Sequence, residues 1–207
     1  GAQSTLAYLG VLGGFEFTFQ SVVDPLLSAF VRSMLVEETL PTLEPVPGMN
    51  AENYVETCLA RLRNSAIRHR SHQIATDGSQ KIVQRLLNPI AERLRRREST
   101  ALLTVPVAGW MAYLILASAR FGRRWPAEDP YAGRVAAIAD RVGHDPARLV
   151  EEIVAIDTIF TRELAGSVAF RSAAADALGA LLSSDPLAIV RNLMHREDPS
   201  RLNQGRR

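Results

Sequence analysis

The sequence predicts an all-α, multi-helix bundle. Apolar residues recur at three- and four-residue spacing almost throughout, no stretch carries a convincing apolar–polar alternation, and no Asn-Gly hairpin signal occurs. Asp-Pro pairs at 24–25, 145–146 and 185–186 add three helix starts, with Asp as the cap and Pro at the first helical position. With 207 residues and 47% apolar content the chain can bury one sizeable core, and residues 1–207 are expected to form a single domain.

A first helix over 4–12 ends at Gly13-Gly14, where left-handed backbone costs little. In Phe15-Glu16-Phe17-Thr18-Phe19 the alternating aromatics suit either a short strand or a bend into a second helix. Asp24-Pro25 opens a helix over 26–39, and the prolines at 41, 45 and 47 then impose a stiff, extended connection. Asn50 caps a helix over 51–63, with Glu52 favourably placed in its first turn. A helical stretch over 66–75 runs into the Asp77-Gly78 turn. Ser79 is then expected to cap a helix that carries Lys81 and reaches 97, kinked at Asn88-Pro89.

Residues 101–119 are uncharged and form the most apolar stretch, long enough to raise a transmembrane span. Thr104, Pro106 and Gly109 interrupt it, the rest of the chain is amphipathic, and the mean hydropathy is +0.00. A buried central helix fits these facts better than a span. Residues 120–133, with Pro126 and Pro130, form a loop. Helices follow over 134–142, 146–155, 162–182 and 187–195, with a short linker at 157–160 and a polar, mobile tail over 196–207.

Composition narrows the function. The one cysteine, Cys58, excludes an internal disulfide and fits a reducing compartment, so a cytoplasmic protein is expected, and its helical surroundings suit a buried, inert thiol. Gly1-Ala2-Gln3-Ser4 shows no basic-then-apolar leader and reads as the opening of a fragment whose start lies upstream. The 24 Lys and Arg residues are nearly answered by 22 acids, which gives no general pull toward nucleic acid. The basic run within 92–98 is flanked by acids, lacks interleaved aromatics and reads as a solvated helix end. Neither nucleic acid nor membrane is expected as a partner.

Lys81 is the chain's single lysine; every other side chain of fixed positive charge is arginine. Its compact ammonium, beside a turn, is a candidate for chemistry that arginine's planar fork cannot imitate, although a lone surface lysine would look the same. No metal signature stands out, since His69 and His72 lack a third ligand at usable spacing. Gly10, Gly13 and Gly14 follow no strand, so no phosphate-binding loop is expected, and no nucleophile elbow occurs. What remains is polar residues at two helix starts, Gln3-Ser4-Thr5 and His72-Gln73 with 77–81. Their free N–H groups suit hydroxyl-rich or anionic ligands, or serve only as caps.

Gly1-Ala2-Gln3-Ser4-Thr5-Leu6-Ala7-Tyr8-Leu9-Gly10, Asp24-Pro25-Leu26, Glu37-Glu38-Thr39-Leu40-Pro41, Gln73-Ile74-Ala75-Thr76-Asp77-Gly78-Ser79-Gln80-Lys81 and Trp110-Met111-Ala112-Tyr113 together resemble the C-terminal domain of the mannitol dehydrogenase family. These are polyol-specific long-chain dehydrogenases, which include mannitol 2-dehydrogenase, fructuronate reductase and tagaturonate reductase. The resemblance implies an all-α domain like the C-terminal domain of 6-phosphogluconate dehydrogenase, preceded by a Rossmann domain that binds most of the NAD. The family's Lys-x4-Asn-x2-His motif would place its Lys and Asn upstream of Gly1 and its His at Gln3, so no catalytic residue is expected in this chain. Gln3 can hydrogen-bond a hydroxyl but cannot accept a proton as imidazole does.

By the same resemblance Gln3, Gln73 and Lys81 are the candidate substrate-binding residues. Gln73 stands where mannitol dehydrogenases carry arginine and looks more like the fructuronate reductases. The expected function is the substrate side of an NAD-dependent oxidoreductase that interconverts a sugar alcohol or sugar acid and its keto form, inactive as a fragment. The partners would be a small polyol or sugar acid and the chain's own Rossmann domain. The competing expectation is a non-enzymatic all-α module that binds a small molecule or regulates.

Overall fold

The computed structural model describes residues 1–196, and among these there is no β-strand. Helix α1 (Ala2–Leu12) is buried from Ser4 to Val11 and ends at Gly13, after which Gly14 takes a φ of 84°. Helices α2 (Thr18–Val23) and α3 (Pro25–Ser33) follow, the latter capped by the Asp24 carboxylate, which accepts from the Leu27 N–H at 2.9 Å. The Phe15–Phe19 alternation yields a single antiparallel bridge, Phe17 with Arg70, before the chain bends into α2.

Helix α3 widens into a π-helical turn over Met34–Thr39 and closes with a 3₁₀ turn over Leu40–Thr42, where Pro41 stops it. Asn50 caps α4 (Ala51–Leu62) as expected, accepting from Asn53 N–H at 2.9 Å. The helix expected over 66–75 is shorter: α5 spans Ser71–Ala75. The reason is tertiary. Thr18 N–H donates to His69 O and Ser71 N–H to Glu16 O, so residues 69–71 are drawn out alongside 16–18.

Helix α6 (Gly78–Ile82) runs through a π-helical segment, Val83–Leu87, into α7 (Asn88–Arg95). Pro89, expected to kink this helix, falls in the first turn of α7 directly after that widened turn, where its missing N–H costs least. Helix α8 (Ala101–Leu116) is buried at every position from Leu102 to Leu116. It is the axis of the bundle, packed against α1 and, further on, α9 (Ala132–Val142) and α12 (Val168–Leu181). Among the described residues no helix is long and apolar enough to cross a membrane.

Asp145 caps α10 (Pro146–Val154), accepting from the N–H groups of Ala147 and Arg148. The helix expected over 162–182 is broken in two, α11 (Arg162–Gly166) and α12. The Ser167 hydroxyl accepts from Phe170 N–H and restarts the second as a cap. Helix α13 (Ala188–Arg196) closes the bundle; the tail over 197–207 lies outside the described residues.

Candidate functional site

The Asp77-Gly78-Ser79-Gln80-Lys81 run is clamped from the 120–133 loop. Asp77 holds a left-handed φ of 52°, which a short polar side chain tolerates, and its N–H donates to Glu128 O at 2.8 Å. Ser79, expected as a cap, instead lies inside α6. The cap comes from Asp129, whose carboxylate accepts from Ser79 N–H at 2.7 Å, Trp110 Nε1 at 3.2 Å and Tyr131 N–H at 2.9 Å. One carboxylate thus joins α6, α8 and the loop, and it sets where α6 begins.

Lys81 faces inward and is half-buried. Its Nζ donates to Thr76 O at 2.5 Å and Ile74 O at 3.3 Å, tying off carbonyls at the end of α5. An ammonium has three N–H donors, so one is left for a ligand. Lys81 lines neither of the two clefts that flank α5.

The first cleft, about 460 Å³, lies between α1, α4 and the π-helical segment that follows α6, and is lined by Gln3, Cys58, Arg61, His69, Ile74 and Arg85, among others. Gln3 is exposed to it, and Cys58, expected to be buried, is only half-buried on its wall. Arg85 Nη1 donates to Ser4 Oγ at 3.0 Å, which anchors the guanidinium beside the first turn of α1. The second cleft, about 330 Å³, holds Gln73 with Arg70, His72, Thr76, Tyr113 and Trp125. Helix α5 is the wall between them: Ile74 faces one cleft while His72, Gln73 and Thr76 face the other. Gln3 and Gln73 therefore line different clefts, and Lys81 lines neither.

In the second cleft the rings of His72, Tyr113 and Trp125 pack together, with centroids 5.5 to 5.7 Å apart. The Tyr113 hydroxyl lies 3.3 Å from His72 Nδ1, placed to donate to the neutral imidazole. Burial pushes the Tyr113 phenol up to about 12, with Glu128 and Asp129 adding to it, so it stays protonated. Desolvation also holds the His72 imidazole below its usual 6.5. The unfolded chain binds that proton more tightly, so the stability this group contributes is complete above 6.5 and is lost as the pH falls through the lower folded value. Melting curves at pH 7.5 and 5.5 should therefore show a larger drop for the wild type than for His72→Gln; equal drops would remove His72 from the account.

Arg85, Asp129 and Tyr113 fall within stretches that carry the family resemblance, Gln84-Arg85-Leu86-Leu87, Asp129-Pro130 and Trp110-Met111-Ala112-Tyr113, but nothing in those stretches marks them for a site role. The anchoring of Arg85 to Ser4 on another helix is visible only in the fold. Among the described residues no group of three His, Cys, Asp or Glu side chains could hold a metal ion.

The chain's relatives agree with this architecture. A family model for the mannitol dehydrogenase C-terminal domain matches residues 1–182. Mannitol dehydrogenase 2 of Saccharomyces cerevisiae is 31% identical over 195 residues, 94% of this chain and 38% of the yeast protein. D-mannonate oxidoreductase of Escherichia coli is 41% identical over 113 residues, 55% of this chain and 23% of that protein. The structure of Pseudomonas fluorescens mannitol 2-dehydrogenase, a ternary complex with NAD and D-mannitol, superposes with a TM-score of 0.85 at 26% identity over 95% of this chain and 39% of that one. The chain thus spans well under half the length of these relatives, and it belongs to the mannitol dehydrogenase family, whose C-terminal domain its residues 1–182 form.

Proposed function

We propose that this chain is the substrate-side domain of an NAD-dependent oxidoreductase that interconverts a sugar alcohol or sugar acid and its keto form. The observation that carries the reading is the match over 95% of the chain to a domain of an enzyme seen with NAD and D-mannitol. The redox chemistry is that of NAD. The described residues form no strand–glycine loop–helix unit to cradle it, so its binding is assigned to a nucleotide-binding domain elsewhere in the protein. The single cysteine supports a cytoplasmic location.

Within this reading Gln3, on the first cleft, Gln73, on the second, and Lys81, at the end of α5, are the residues offered to substrate oxygens. Gln3 donates and accepts hydrogen bonds at a hydroxyl but takes no proton, so the base that removes the alcohol proton lies outside these three. Lys81 is a positioning cation: two of its donors hold carbonyls, and the third reaches a hydroxyl or carboxylate.

The test is NAD reduction by the full-length protein with mannonate, mannitol and arabinitol. Activity with at least one supports the reading; none with any would sink it. Lys81→Met should lower kcat/KM about 10- to 100-fold, the worth of one charged hydrogen bond. Equal activity in the two forms would remove Lys81 from the site, and melting curves separate a substrate effect from a loosened α5.

A further inference from the structure

Lys81 stands in the least secured turn of its helix. Downstream, α6 runs into the π-helical segment and α7, but its first turn has few bonds of its own. The N–H groups of Gln80 and Lys81 share one acceptor, Asp77 O, at 3.2 and 3.4 Å. Asp77, at the cap position, takes a left-handed φ of 52° and makes no side-chain cap. The Ser79 hydroxyl is buried and, among the described residues, has no hydrogen-bond partner. The opening N–H groups of a helix find no acceptor inside it, so this start depends on an acceptor from outside.

That acceptor is Asp129, 50 residues further along the chain. Its Oδ2 receives Ser79 N–H at 2.7 Å and Trp110 Nε1–H at 3.2 Å, and its Oδ1 receives Tyr131 N–H at 2.9 Å. The indole belongs to a fully buried side chain of α8, so the carboxylate is fixed against the axis of the bundle. Beside it, Glu128 O accepts from Asp77 N–H at 2.8 Å, and Glu128 lines the cleft that holds Gln73. The 128–131 strap thus reaches from the cleft of Gln73 to the first turn of the helix that carries Lys81.

The Lys81 ammonium has no position independent of that turn. Its two bonds go to main-chain carbonyls, Thr76 O and Ile74 O, on the other side of the Asp77 turn. Its remaining donor points where the backbone of 76–81 directs it, and the strap holds that backbone at Asp77 and Ser79. We infer that Asp129 is a positioning residue: by capping α6 from the loop it sets where the free donor of Lys81 meets a substrate oxygen. This rests on the oxidoreductase reading above and adds a residue that acts through Lys81 rather than on the substrate.

The full-length protein, assayed for NAD reduction with mannonate, mannitol and arabinitol, is compared as wild type, Asp129→Ala, Lys81→Met and the double variant. Asp129→Ala should lower kcat/KM for the sugar substrate about tenfold, within the loss that a displacement of about 1 Å can cause. In the Lys81→Met background the same substitution should cost less than about twofold, because the group it positions is already gone. The KM for NAD should move less than about twofold throughout, whereas a general loosening of the protein would raise it as well.

Losses that multiply in the double variant, or a KM for NAD that rises with that for the sugar substrate, would show Asp129 supporting the fold alone and overturn the inference. So would Asp129→Ala as active as the wild type; each of these results leaves the oxidoreductase reading standing. Lys81→Met as active as the wild type removes Lys81 from the site and this inference with it. A wild type inactive on all three substrates removes the reading and the inference together. If Asp129→Ala does not fold by circular dichroism, Asp129→Glu decides, since it keeps the charge and moves the oxygens out by a methylene. A loss absorbed by Lys81→Met then supports the inference, and a wild-type rate or a multiplying loss refutes it.

Discussion

Glu38→Ala should lower the stability of the fold by about 4 kcal/mol, the cost of breaking a buried charged network. Glu38 is 3% exposed and acts as a cap from a distance. Thr100, at the start of α8, makes no side-chain cap. The Glu38 carboxylate supplies it, accepting from Leu102 N–H at 3.1 Å, Leu103 N–H at 2.7 Å and Ser99 Oγ at 3.2 Å. Buried Arg93 sits against the same turn, donating to Glu37 O and Ser99 O and pairing with Glu98. Alanine leaves two N–H groups at the head of the central helix without acceptors, in a place water does not reach.

Glu38→Gln should cost much less, because the amide keeps the shape and one acceptor. Burial raises the Glu38 carboxyl above its ordinary 4.5, partly offset by the Leu103 and Leu102 N–H bonds, Arg93 and Ser99. The folded state then holds the proton more tightly than the unfolded state. The resulting contribution is complete below 4.5 and is lost as the pH rises through the folded value. Urea titrations at pH 4 and pH 7 should show the wild type's advantage over Glu38→Gln shrinking toward neutral pH, and a widening gap would contradict the assignment.

Gly78→Ala should destabilise by about 3 kcal/mol, at the upper end for overpacking. A methyl there would overlap the Tyr8 hydroxyl and come within 2.7 Å of Trp110 Cδ1. Neither neighbour yields easily. Tyr8 and Trp110 are both fully buried, and the indole is held by Asp129. Among the described residues the Tyr8 hydroxyl has no hydrogen-bond partner, so Tyr8→Phe alone should cost little and should restore part of the loss in the double variant. Chemical denaturation of the four proteins checks this; strictly additive effects would show that the clash is relieved elsewhere.

Much of the fold was legible in the sequence because local rules act within one turn. Asp24, Asn50 and Asp145 cap helices three residues or fewer away, and the structure has each bond. The uncharged run at 101–119 has no polar face, so its helix had to be central. Where the sequence misled, a distant partner had taken over the backbone. Residues 66–70 were diverted by the 16–18 segment, and Ser79 gave up capping to Asp129.

Local rules were enough for the all-helical class, the caps that start α3, α4 and α10, the burial of α8 and, through the motifs, the family. These depend on spacing, side-chain chemistry and propensity within a few residues. Long-range packing alone gives Lys81 its two bonds to the end of α5, puts Gln3 and Gln73 on different clefts and anchors Arg85 to Ser4. Those relations join residues far apart in the chain, and side chains acquire them only when apolar burial has fixed which helices meet.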